Sequence, residues 1–322
     1  MQDIKLVVMS GPWAEWLDAF HAVSPRLKAV AAPTSEDLMR EIADAEIVIG
    51  RVPREAFLKA EKLRWAQSNG VGFETMLYPE MIESDVAITN TAGALDAPMA
   101  EHAMALILSY TRGIVFQERL RAEHTWARGT FAAHQIQDKT ACVLGLGTIG
   151  RAVVKRLVAF DVRIIAVDAQ VAAPPEGVDR LVQPDGMLDA LAQADIVVVA
   201  LPLTDRTRGL VNAECFDRMK QSAYLVNVGR GPIVNETDLI DALKTEKIAG
   251  AGLDVFEQEP LPTSSPLWDM PNVVIAPHVG GQSAEGFHNL QKVFCENLRR
   301  YTSGEPLMNV VDKRQGYVIQ KG

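Results

Sequence analysis

Residues 140–160 read TACVLGLGTIGRAVVKRLVAF, and the fold can be inferred most directly from this part of the chain. A short apolar run ends in glycines spaced as G-x-G-x-x-G, and a helical pattern follows at once. Gly145 is expected to allow a tight turn, Gly147 to let the backbone approach a pyrophosphate, and Gly150 to let the helix pack closely on the strand. The helix N-terminus would add N–H donors and a partial positive charge. The stretch predicts a dinucleotide-binding turn; its alternative is a glycine-rich turn without a ligand.

An acidic residue follows this turn at the spacing that dinucleotide-binding folds use. Asp168 ends the next apolar run, VRIIAVD (162–168), about 20 residues beyond the glycines, where a carboxylate accepts the ribose hydroxyls. A 2′-phosphate there would face a like charge, and Ala169 and Gln170 supply no arginine to receive it. The sequence therefore predicts NAD(H) rather than NADP(H), the alternative for Asp168 being a solvated strand end.

Short apolar runs alternate with helical stretches along the whole chain, a rhythm typical of a parallel sheet covered by helices. The runs before the glycine turn are IKLVVM (4–9), LKAVAA (27–32), EIVIG (46–50), LRWAQS (63–68) and VAITN (86–90). The later runs lie at 140–147, 162–168, 195–202, 224–229, 250–256 and 272–278. Helices are predicted near 12–22, from about Ser35, from about Pro98 towards Arg121, and from Ser283 to about Thr302. Two such series predict two sheets in an α/β protein.

The composition is that of a globular protein in a reducing compartment. Its 322 residues, 48% of them hydrophobic, favour two domains. A formal net charge of −9 disfavours phosphate backbones and anionic lipid. Three cysteines lie far apart without disulfide or metal spacing, and neither a signal-peptide pattern nor an apolar run of about 20 residues occurs. We expect a cytoplasmic protein that binds no metal, nucleic acid or membrane.

Charged or titratable side chains end three of the later strands. Arg230 follows VNVG, Glu259 lies in GLDVFEQEP (252–260), and His278 ends VVIAPH. Because α/β sheets bind ligands at the carboxyl ends of their strands, these side chains are expected to converge on one crevice. Taken singly, each has a plainer interpretation, as a surface ion pair, a loop charge and a core histidine respectively. Their joint placement after a dinucleotide-binding turn favours a catalytic group.

Five motifs, in order, resemble the D-isomer-specific 2-hydroxyacid dehydrogenase family, which includes glyoxylate/hydroxypyruvate reductases, phosphoglycerate dehydrogenases and D-lactate dehydrogenases. They are NTAGALDAPMAEHAMALILSYTR (90–112), VLGLGTIGRAV (143–153), VNVGRGPIVNETDLIDAL (226–243), AGLDVFEQEPLP (251–262) and SPLWDMPNVVIAPHVGG (265–281). The resemblance covers roughly residues 68–311. It implies an NAD-dependent oxidoreductase that interconverts a small 2-oxo acid and a D-2-hydroxy acid.

The resemblance also implies roles for the three strand-end residues. Arg230 would anchor the substrate carboxylate and carbonyl, as a planar guanidinium suits. His278 would be the general acid/base, because the carbonyl oxygen needs a proton as hydride reaches the carbon. Glu259 would orient the imidazole of His278.

Further positions follow from the same resemblance. The implied cofactor-binding residues, besides Gly145, Gly147, Gly150 and Asp168, are Thr148, Ile149, Pro202, Val228, Gly229, Asp254 and Gly280. The implied substrate-binding residues are Asn69, Gly70, Val71 and Gly72, with Arg230 and His278. Asp254 has the alternative of bracing its strand end, and the loop of residues 69–72 that of a turn requiring glycine. Ser68 and Glu74 depart from the family pattern, which leaves the substrate side chain open.

The family architecture implies a Rossmann NAD-binding domain (101–289) inserted into a smaller, flavodoxin-like substrate domain (1–100 and 290–322), both doubly wound. It also implies a homodimer through the NAD-binding domain, with Gly113–Ala133 as the candidate contact. Two alternatives use the same scaffold: an NAD(H)-sensing, corepressor-like binding protein, which would tolerate loss of His278, and a formate-type dehydrogenase. The remaining histidines, His102 among them, show no ligand spacing and are interpreted as structural or exposed.

Overall fold

A computed structural model of the protein describes residues 3–9 and 16–318, which form two compact units. The chain passes from the first unit into the second between Leu95 and Asp96, and it returns to the first between Gln282 and Ser283. Each unit has its own parallel sheet and hydrophobic core. No helix in the described part of the chain is long and apolar enough to cross a membrane.

The first unit begins with five parallel strands in the order β2-β1-β3-β4-β5, the order of flavodoxin-like folds. Its elements are β1 (Ile4–Met9), α1 (Leu17–Val23), β2 (Leu27–Ala32), α2 (Ser35–Glu41), β3 (Ile47–Ile49), α3 (Arg54–Phe57), β4 (Trp65–Gln67), α4 (Pro79–Glu83) and β5 (Ala87–Thr89). The strands β3 and β4 are buried throughout, as expected of parallel strands covered on both faces. Residues 12–15 of the predicted first helix lie outside the described residues.

The second unit holds seven parallel strands in the order β12-β11-β10-β9-β6-β7-β8. Its elements are α5 (Asp96–Thr111), α6 (Ile114–Ala122), β6 (Thr140–Leu144), α7 (Thr148–Val158), β7 (Arg163–Val167), β8 (Arg180–Val182), α8 (Met187–Leu191), β9 (Ile196–Val199), α9 (Ala213–Arg218), β10 (Tyr224–Asn227), α10 (Glu236–Lys244), β11 (Gly250–Leu253) and β12 (Val273–Ile275). Since the first strand is central and the sequence runs outward on both sides of it, this is the Rossmann order extended by one strand.

The returning segment completes the first unit. It consists of α11 (Ala284–Ser303) and an antiparallel ribbon of β13 (Val311–Asp312) and β14 (Tyr317–Val318). Ser283 caps the helix by accepting a hydrogen bond from Gly286 N at 2.8 Å, and Gly304 ends it in the left-handed conformation. Phe294 and Leu298 are fully buried in the core beneath the five-stranded sheet.

The predicted fold class, α/β with two doubly wound parallel sheets, is confirmed. The prediction of one helix from Pro98 towards Arg121 is wrong, because α5 and α6 are separate helices. Gly113 interrupts them with a φ of +68°, and a Cβ on this residue would lie 2.3 Å from Cδ1 of Phe131. The apolar pattern continues through this break, so the pattern alone conceals it. The short edge strand β8 was also not predicted.

Candidate active site

The candidate site residues of the second unit all follow the carboxyl ends of strands in one sheet. Because all seven strands are parallel, these ends share a single edge. The glycine turn follows β6, Asp168 follows β7, and the remaining residues follow β9, β10, β11 and β12. This is the edge at which open α/β sheets bind their ligands.

The three glycines of the turn meet three different steric demands. Gly145 has a φ of +98°, and a Cβ there would lie 2.8 Å from the carbonyl oxygen that follows β9. On Gly150 a Cβ would lie 1.9 Å from the carbonyl oxygen of Gly145, so the helix packs against the turn without room for a side chain. A Cβ built on Gly147 would meet no atom of the described residues within 4 Å, apart from those of its chain neighbours and the backbone of its own helix. The open space before the first turn of α7, where Thr148 is exposed and Ile149 half-buried, fits a phosphate group.

Asp168 is bound to the backbone on two sides. Its Oδ2 accepts a hydrogen bond from Leu146 N at 2.7 Å, and its Oδ1 accepts from Gln170 N at 2.7 Å and Val171 N at 3.0 Å. The carbonyl oxygen of Leu146 accepts in turn from Arg151 Nε at 2.9 Å. A carboxylate has about four acceptor directions, so one remains for a ligand hydroxyl. The side chain therefore fixes the glycine turn and keeps capacity for a ribose.

The residues that follow β9 and β10 form a wall of closely packed backbone. Pro202 is exposed, and its carbonyl oxygen accepts from Thr207 Oγ1 at 2.7 Å. Val228 is buried, and a Cβ on Gly229 would lie 2.9 Å from the carbonyl oxygen of Leu201. The segments after the two strands therefore touch, and only glycine fits at the point of contact.

Arg230 lies in the turn after β10. Its Nη1 donates to the carbonyl oxygen of Gly229 at 2.7 Å, and its own carbonyl oxygen accepts from Asn227 Nδ2 at 3.1 Å. A Cβ on the next residue, Gly231, would lie 1.9 Å from the carbonyl carbon and oxygen of Phe256. The turn that carries Arg230 therefore packs directly on the backbone of the turn that carries Glu259.

Glu259 and His278 are in direct contact. Oε1 of Glu259 accepts a hydrogen bond from Phe256 N at 3.1 Å, and Oε2 lies 2.7 Å from Nδ1 of His278. The carboxylate is thus anchored to its own strand end on one side and holds the imidazole on the other. The side chains are 36% and 49% exposed, respectively, so a substrate can reach the ring, and the pair adds little to stability.

Asp254 braces the turn that follows His278. The residue is fully buried; its Oδ1 accepts from Val279 N at 2.9 Å and its Oδ2 from Gly280 N at 3.0 Å. His102 on α5 places Nε2 3.2 Å from Oδ1 of the same carboxylate. The interpretation of His102 as structural or exposed missed this contact, because nothing in the spacing along the chain connects two residues so far apart.

The predicted substrate loop follows β4 at the carboxyl edge of the sheet of the first unit. Ser68 Oγ donates to the carbonyl oxygen of Gly72 at 2.6 Å and accepts from Gly70 N at 3.3 Å. Asn90 Nδ2 donates to the carbonyl oxygen of Val71 at 2.7 Å. Residues 69–72 are half-buried. Local polar groups therefore close the loop, and part of it stays accessible.

A buried network of neutral polar side chains lies under this loop and was not predicted. Gln67 Nε2 donates to the carbonyl oxygen of Ser68 at 2.9 Å. Gln67 Oε1 accepts from Thr89 Oγ1 at 2.7 Å and from Asn297 Nδ2 at 3.1 Å. Trp65 Nε1 donates to Thr89 Oγ1 at 2.7 Å. The network ties α11 to the strands on which the loop stands.

The chain was compared with families and proteins of known sequence and structure. Residues 104–280 match the family described as "D-isomer specific 2-hydroxyacid dehydrogenase, NAD binding domain". A glyoxylate reductase from Thermofilum pendens is 35% identical over 289 residues, covering 87% of this chain and 85% of that protein. A D-3-phosphoglycerate dehydrogenase from Mycobacterium tuberculosis is 33% identical over 296 residues; the match covers 91% of this chain but 56% of that longer protein.

Solved structures show the same similarity over nearly the whole chain. A D-isomer specific 2-hydroxyacid dehydrogenase from Xanthobacter autotrophicus, solved in complex with NADPH and MES, superposes with a TM-score of 0.84 at 30% identity. It covers 98% of this chain and 100% of its own. The similarity thus extends through both units.

Proposed function

The chain belongs to the family of D-isomer specific 2-hydroxyacid dehydrogenases, and from this premise we propose that it interconverts a small 2-oxo acid and a D-2-hydroxy acid with NAD(H). One observation carries the proposal: an imidazole held by a carboxylate, His278 Nδ1 to Glu259 Oε2 at 2.7 Å, at the sheet edge that also bears a dinucleotide-type glycine turn. In this proposal the second unit is the NAD-binding domain and the first is the substrate domain.

The residues of the second unit fit a dinucleotide. Open space at Gly147 and the first-turn amides of α7 would hold the pyrophosphate, and Asp168 would hold the adenosine ribose. The wall of Pro202, Val228 and Gly229 would flank the cofactor. The remaining proposed contacts are Gly145, Thr148, Ile149, Gly150, Asp254 and Gly280. When bound, the nicotinamide supplies or accepts the hydride.

We assign the preference for NAD(H) to Asp168. A 2′-phosphate within about 4 Å of this carboxylate would cost roughly 1–4 kcal/mol, depending on the local dielectric. The three backbone N–H groups that bind the carboxylate hold it in place, so it cannot turn away without giving up those hydrogen bonds. One relative was solved in complex with NADPH, so the preference of this chain for NAD(H) has to be measured directly.

His278 would transfer the proton. Because Glu259 engages Nδ1, Nε2 is the ring nitrogen available to the substrate oxygen. In reduction it would donate a proton to the oxygen as the carbon receives hydride, and in oxidation it would take that proton back. The carboxylate would stabilise the imidazolium and fix the ring orientation, as in other carboxylate–histidine pairs.

Arg230 and the loop of residues 69–72 would bind the substrate. The guanidinium presents several donors in one plane, which suits a carboxylate next to a carbonyl. The backbone of Asn69, Gly70, Val71 and Gly72 would offer N–H groups to a substrate carboxylate. A short 2-oxo acid such as glyoxylate or hydroxypyruvate is the substrate class that we assign.

The second unit carries a surface that we assign to a homodimer. Helix α6 has no buried residue within the chain, and Ile114 and Trp126 are 52% and 95% exposed. Phe116 and Phe131 pack against each other beside them, with ring centroids 5.6 Å apart. An apolar surface of this kind is typical of an interface. Sedimentation equilibrium should give a dimer, and Trp126→Glu should weaken it; a monomeric wild type would contradict the assignment.

A cytoplasmic location is part of the same proposal. The three cysteines are free thiols; Cys142 and Cys215 are buried and Cys295 is half-buried. Burial raises the pKa of the Cys142 thiol to about 12, so this group is protected from oxidation. Free thiols are typical of reducing compartments. Cell fractionation followed by immunodetection would test this location.

The activity can be tested directly. The purified chain should oxidise NADH with glyoxylate, hydroxypyruvate or a longer 2-oxo acid, and chiral chromatography should identify the D-hydroxy acid. His278→Gln should lower kcat about a thousandfold, the range of general acid–base catalysis. Arg230→Lys should chiefly raise the KM for the oxo acid. His134→Gln is the matched control, since His134 is an exposed imidazole in the same unit.

Two results would contradict the proposal. NADH binding without turnover on the whole panel would favour a binding protein of the corepressor kind. Turnover that survives His278→Gln would remove the assigned acid/base, even with the family membership intact.

A further inference from the structure

The backbone of His278 is held in an unusual conformation. Its φ is +55°, in the left-handed region that non-glycine residues enter at a cost. Such a conformation persists at functional sites when the surrounding groups fix it. The two residues that follow, Val279 and Gly280, donate their N–H groups to the two oxygens of Asp254 at 2.9 and 3.0 Å. These three residues, 278–280, are called the His278 turn below.

Two carboxylates therefore fix the position of His278, one through its ring and the other through the backbone that follows it. Glu259 holds the ring through Nδ1, and Asp254 holds the backbone just after the residue. Asp254 is fully buried, whereas the side chain of Glu259 is 36% exposed. A buried carboxylate is costly unless hydrogen bonds or a cation compensate its charge. The two backbone N–H groups supply part of that compensation.

His102 supplies the nearby cationic or donor group. It lies in the second turn of α5, with its side chain 20% exposed. Nε2 lies 3.2 Å from Oδ1 of Asp254, at ion-pair distance but outside hydrogen-bond geometry. This nitrogen is buried and has no hydrogen-bond partner within the described part of the chain. Its polar neighbour is the carboxylate that braces the His278 turn.

Close packing joins these groups into one cluster. A Cβ built on Gly280 would lie 2.8 Å from Oδ2 of Asp254, 3.0 Å from Cδ2 of His102 and 3.1 Å from Sδ of Met99. Helix α5, the carboxylate and the His278 turn thus leave no room for a side chain at Gly280. Because protein interiors shift rather than compress, a displacement of one member moves the others.

We propose that His102 is a positioning residue for the His278 turn. It holds the carboxylate of Asp254, which fixes the amides of Val279 and Gly280 and thereby the backbone from which the imidazole of His278 projects. His102 would not touch the substrate, and its effect on the reaction would pass entirely through Asp254. This inference rests on the proposed role of His278 as the acid/base.

The test compares His102→Leu with His102→Gln. Leucine fills similar space without a donor, whereas glutamine carries an N–H donor at similar reach. Steady-state kinetics with NADH and a 2-oxo acid give kcat and both KM values. In parallel, the protein without cofactor is labelled with ¹³C-histidine, and the ring resonances of His278 are assigned by their loss in His278→Gln. This second readout reports on the turn whether or not turnover occurs.

Misplacement of an acid/base by a fraction of an ångström lowers the rate, and a full ångström costs about a hundredfold. We expect His102→Leu to lower kcat about tenfold and to shift the His278 resonances. His102→Gln should restore most of kcat and the wild-type resonances. The control is Glu101→Gln on the same helix, which removes only an exposed ion pair with Arg156 (2.9 Å) and should change neither readout.

Different outcomes would overturn the positioning role of His102 and the acid/base role of His278. Wild-type kcat and unshifted His278 resonances in His102→Leu would overturn the positioning role. Full activity in His278→Gln would overturn the proposed acid/base instead. If His102→Leu does not fold, His102→Asn replaces it, because its shorter amide falls short of Asp254; activity equal to that of His102→Gln would then overturn the proposal.

Discussion

The two units solve the same structural problem with different chemistry. In each, loops at the carboxyl edge of a parallel sheet must keep a fixed shape. In the second unit buried or half-buried carboxylates do this, since Asp168 and Asp254 accept hydrogen bonds from backbone N–H groups. In the first unit neutral groups do it, since Gln67 and Asn297 bind each other and nearby carbonyls.

The contrast shows where charged side chains are needed. A carboxylate makes stronger hydrogen bonds than an amide, and carboxylates also give the second unit the charged groups that the proposed ribose contact and the proposed proton transfer require. The neutral network contributes no charge, and every described polar group in it has a partner. We therefore expect substitutions at the sheet edge of the second unit to affect activity most, and substitutions in the neutral network of the first unit to affect stability most. Placing a charge in the neutral network, or a neutral amide at the sheet edge of the second unit, should reveal this difference.

The largest effect on stability is expected where a charge enters the neutral network. Asn297→Asp replaces an amide nitrogen that donates to Gln67 Oε1 at 3.1 Å and Met308 O at 3.2 Å. An unpaired buried carboxylate facing two acceptors should cost about 4 kcal/mol. Urea unfolding followed by tryptophan fluorescence would measure it, since Trp65 belongs to the network. Asn289→Asp on the same helix is the control, and an equal loss there would contradict the interpretation.

The reciprocal exchange removes a charge from the second edge. In Asp254→Asn one amide nitrogen must face the N–H of Val279 or Gly280, which leaves a buried donor unpaired at a cost of about 2 kcal/mol. Because the His278 turn is loosened, kcat of the folded protein should fall roughly a hundredfold. Partial unfolding would not account for a loss of this size. Stopped-flow hydride transfer and thermal unfolding would be measured together. Asp269→Asn, exposed in the same unit, should alter neither; a wild-type kcat in Asp254→Asn would refute the brace.

A smaller effect is expected where the carboxylate meets the cofactor. Asp168→Asn keeps one acceptor for the glycine turn but removes the charge that would repel a 2′-phosphate. The ratio of the Kd for NADPH to that for NADH should fall about tenfold, near the lower end of the expected repulsion. Fluorescence titration with both cofactors measures this ratio. Asp185→Asn, a residue outside the glycine turn, is the control. An unchanged ratio would show that the preference lies elsewhere.

The smallest effect is expected at an exposed ion pair of the first unit. Hydrogen bonds from Arg299 and Arg300 lower the pKa of Glu296 to about 2 from its ordinary value of 4.5. Stability from this pairing is therefore fully present above about pH 4.5 and is lost as the pH falls towards 2. Glu296→Gln removes the ionised carboxylate, so it should lower the free energy of unfolding above about pH 4.5, and its difference from the wild type should disappear as the pH falls towards 2. Urea unfolding across this pH range would measure the difference, and one that persists at pH 2 would contradict this assignment.

The contrast between the units also explains what the sequence could predict. The parallel strands and the Rossmann turn could be predicted because apolar runs and regularly spaced glycines are local features of the sequence. Glu259 and His278 could be predicted because they lie in the segments that follow two strands, and the structure places Oε2 of Glu259 2.7 Å from Nδ1 of His278.

The missed features depend on contacts between distant parts of the chain. Gln67 and Asn297 are 230 residues apart, and neutral amides are common on any surface, so neither gave a signal. His102 gave none either, because its partner Asp254 lies on a different element. The break at Gly113 depends on Phe131, which packs where a side chain would be. Local sequence patterns predict the helices and strands, whereas the side-chain contacts and the helix break depend on residues that are distant in sequence.

The return of the chain into the first unit has a consequence for biosynthesis. The core beneath the five-stranded sheet includes Phe294 and Leu298, which the ribosome makes only after the whole second unit has been translated. Domains fold as units while they emerge, so the second unit can finish while the first still lacks one of its helices. The amino-terminal strands must wait with apolar surface uncovered. This nascent intermediate is the stage at which a holding chaperone would matter most.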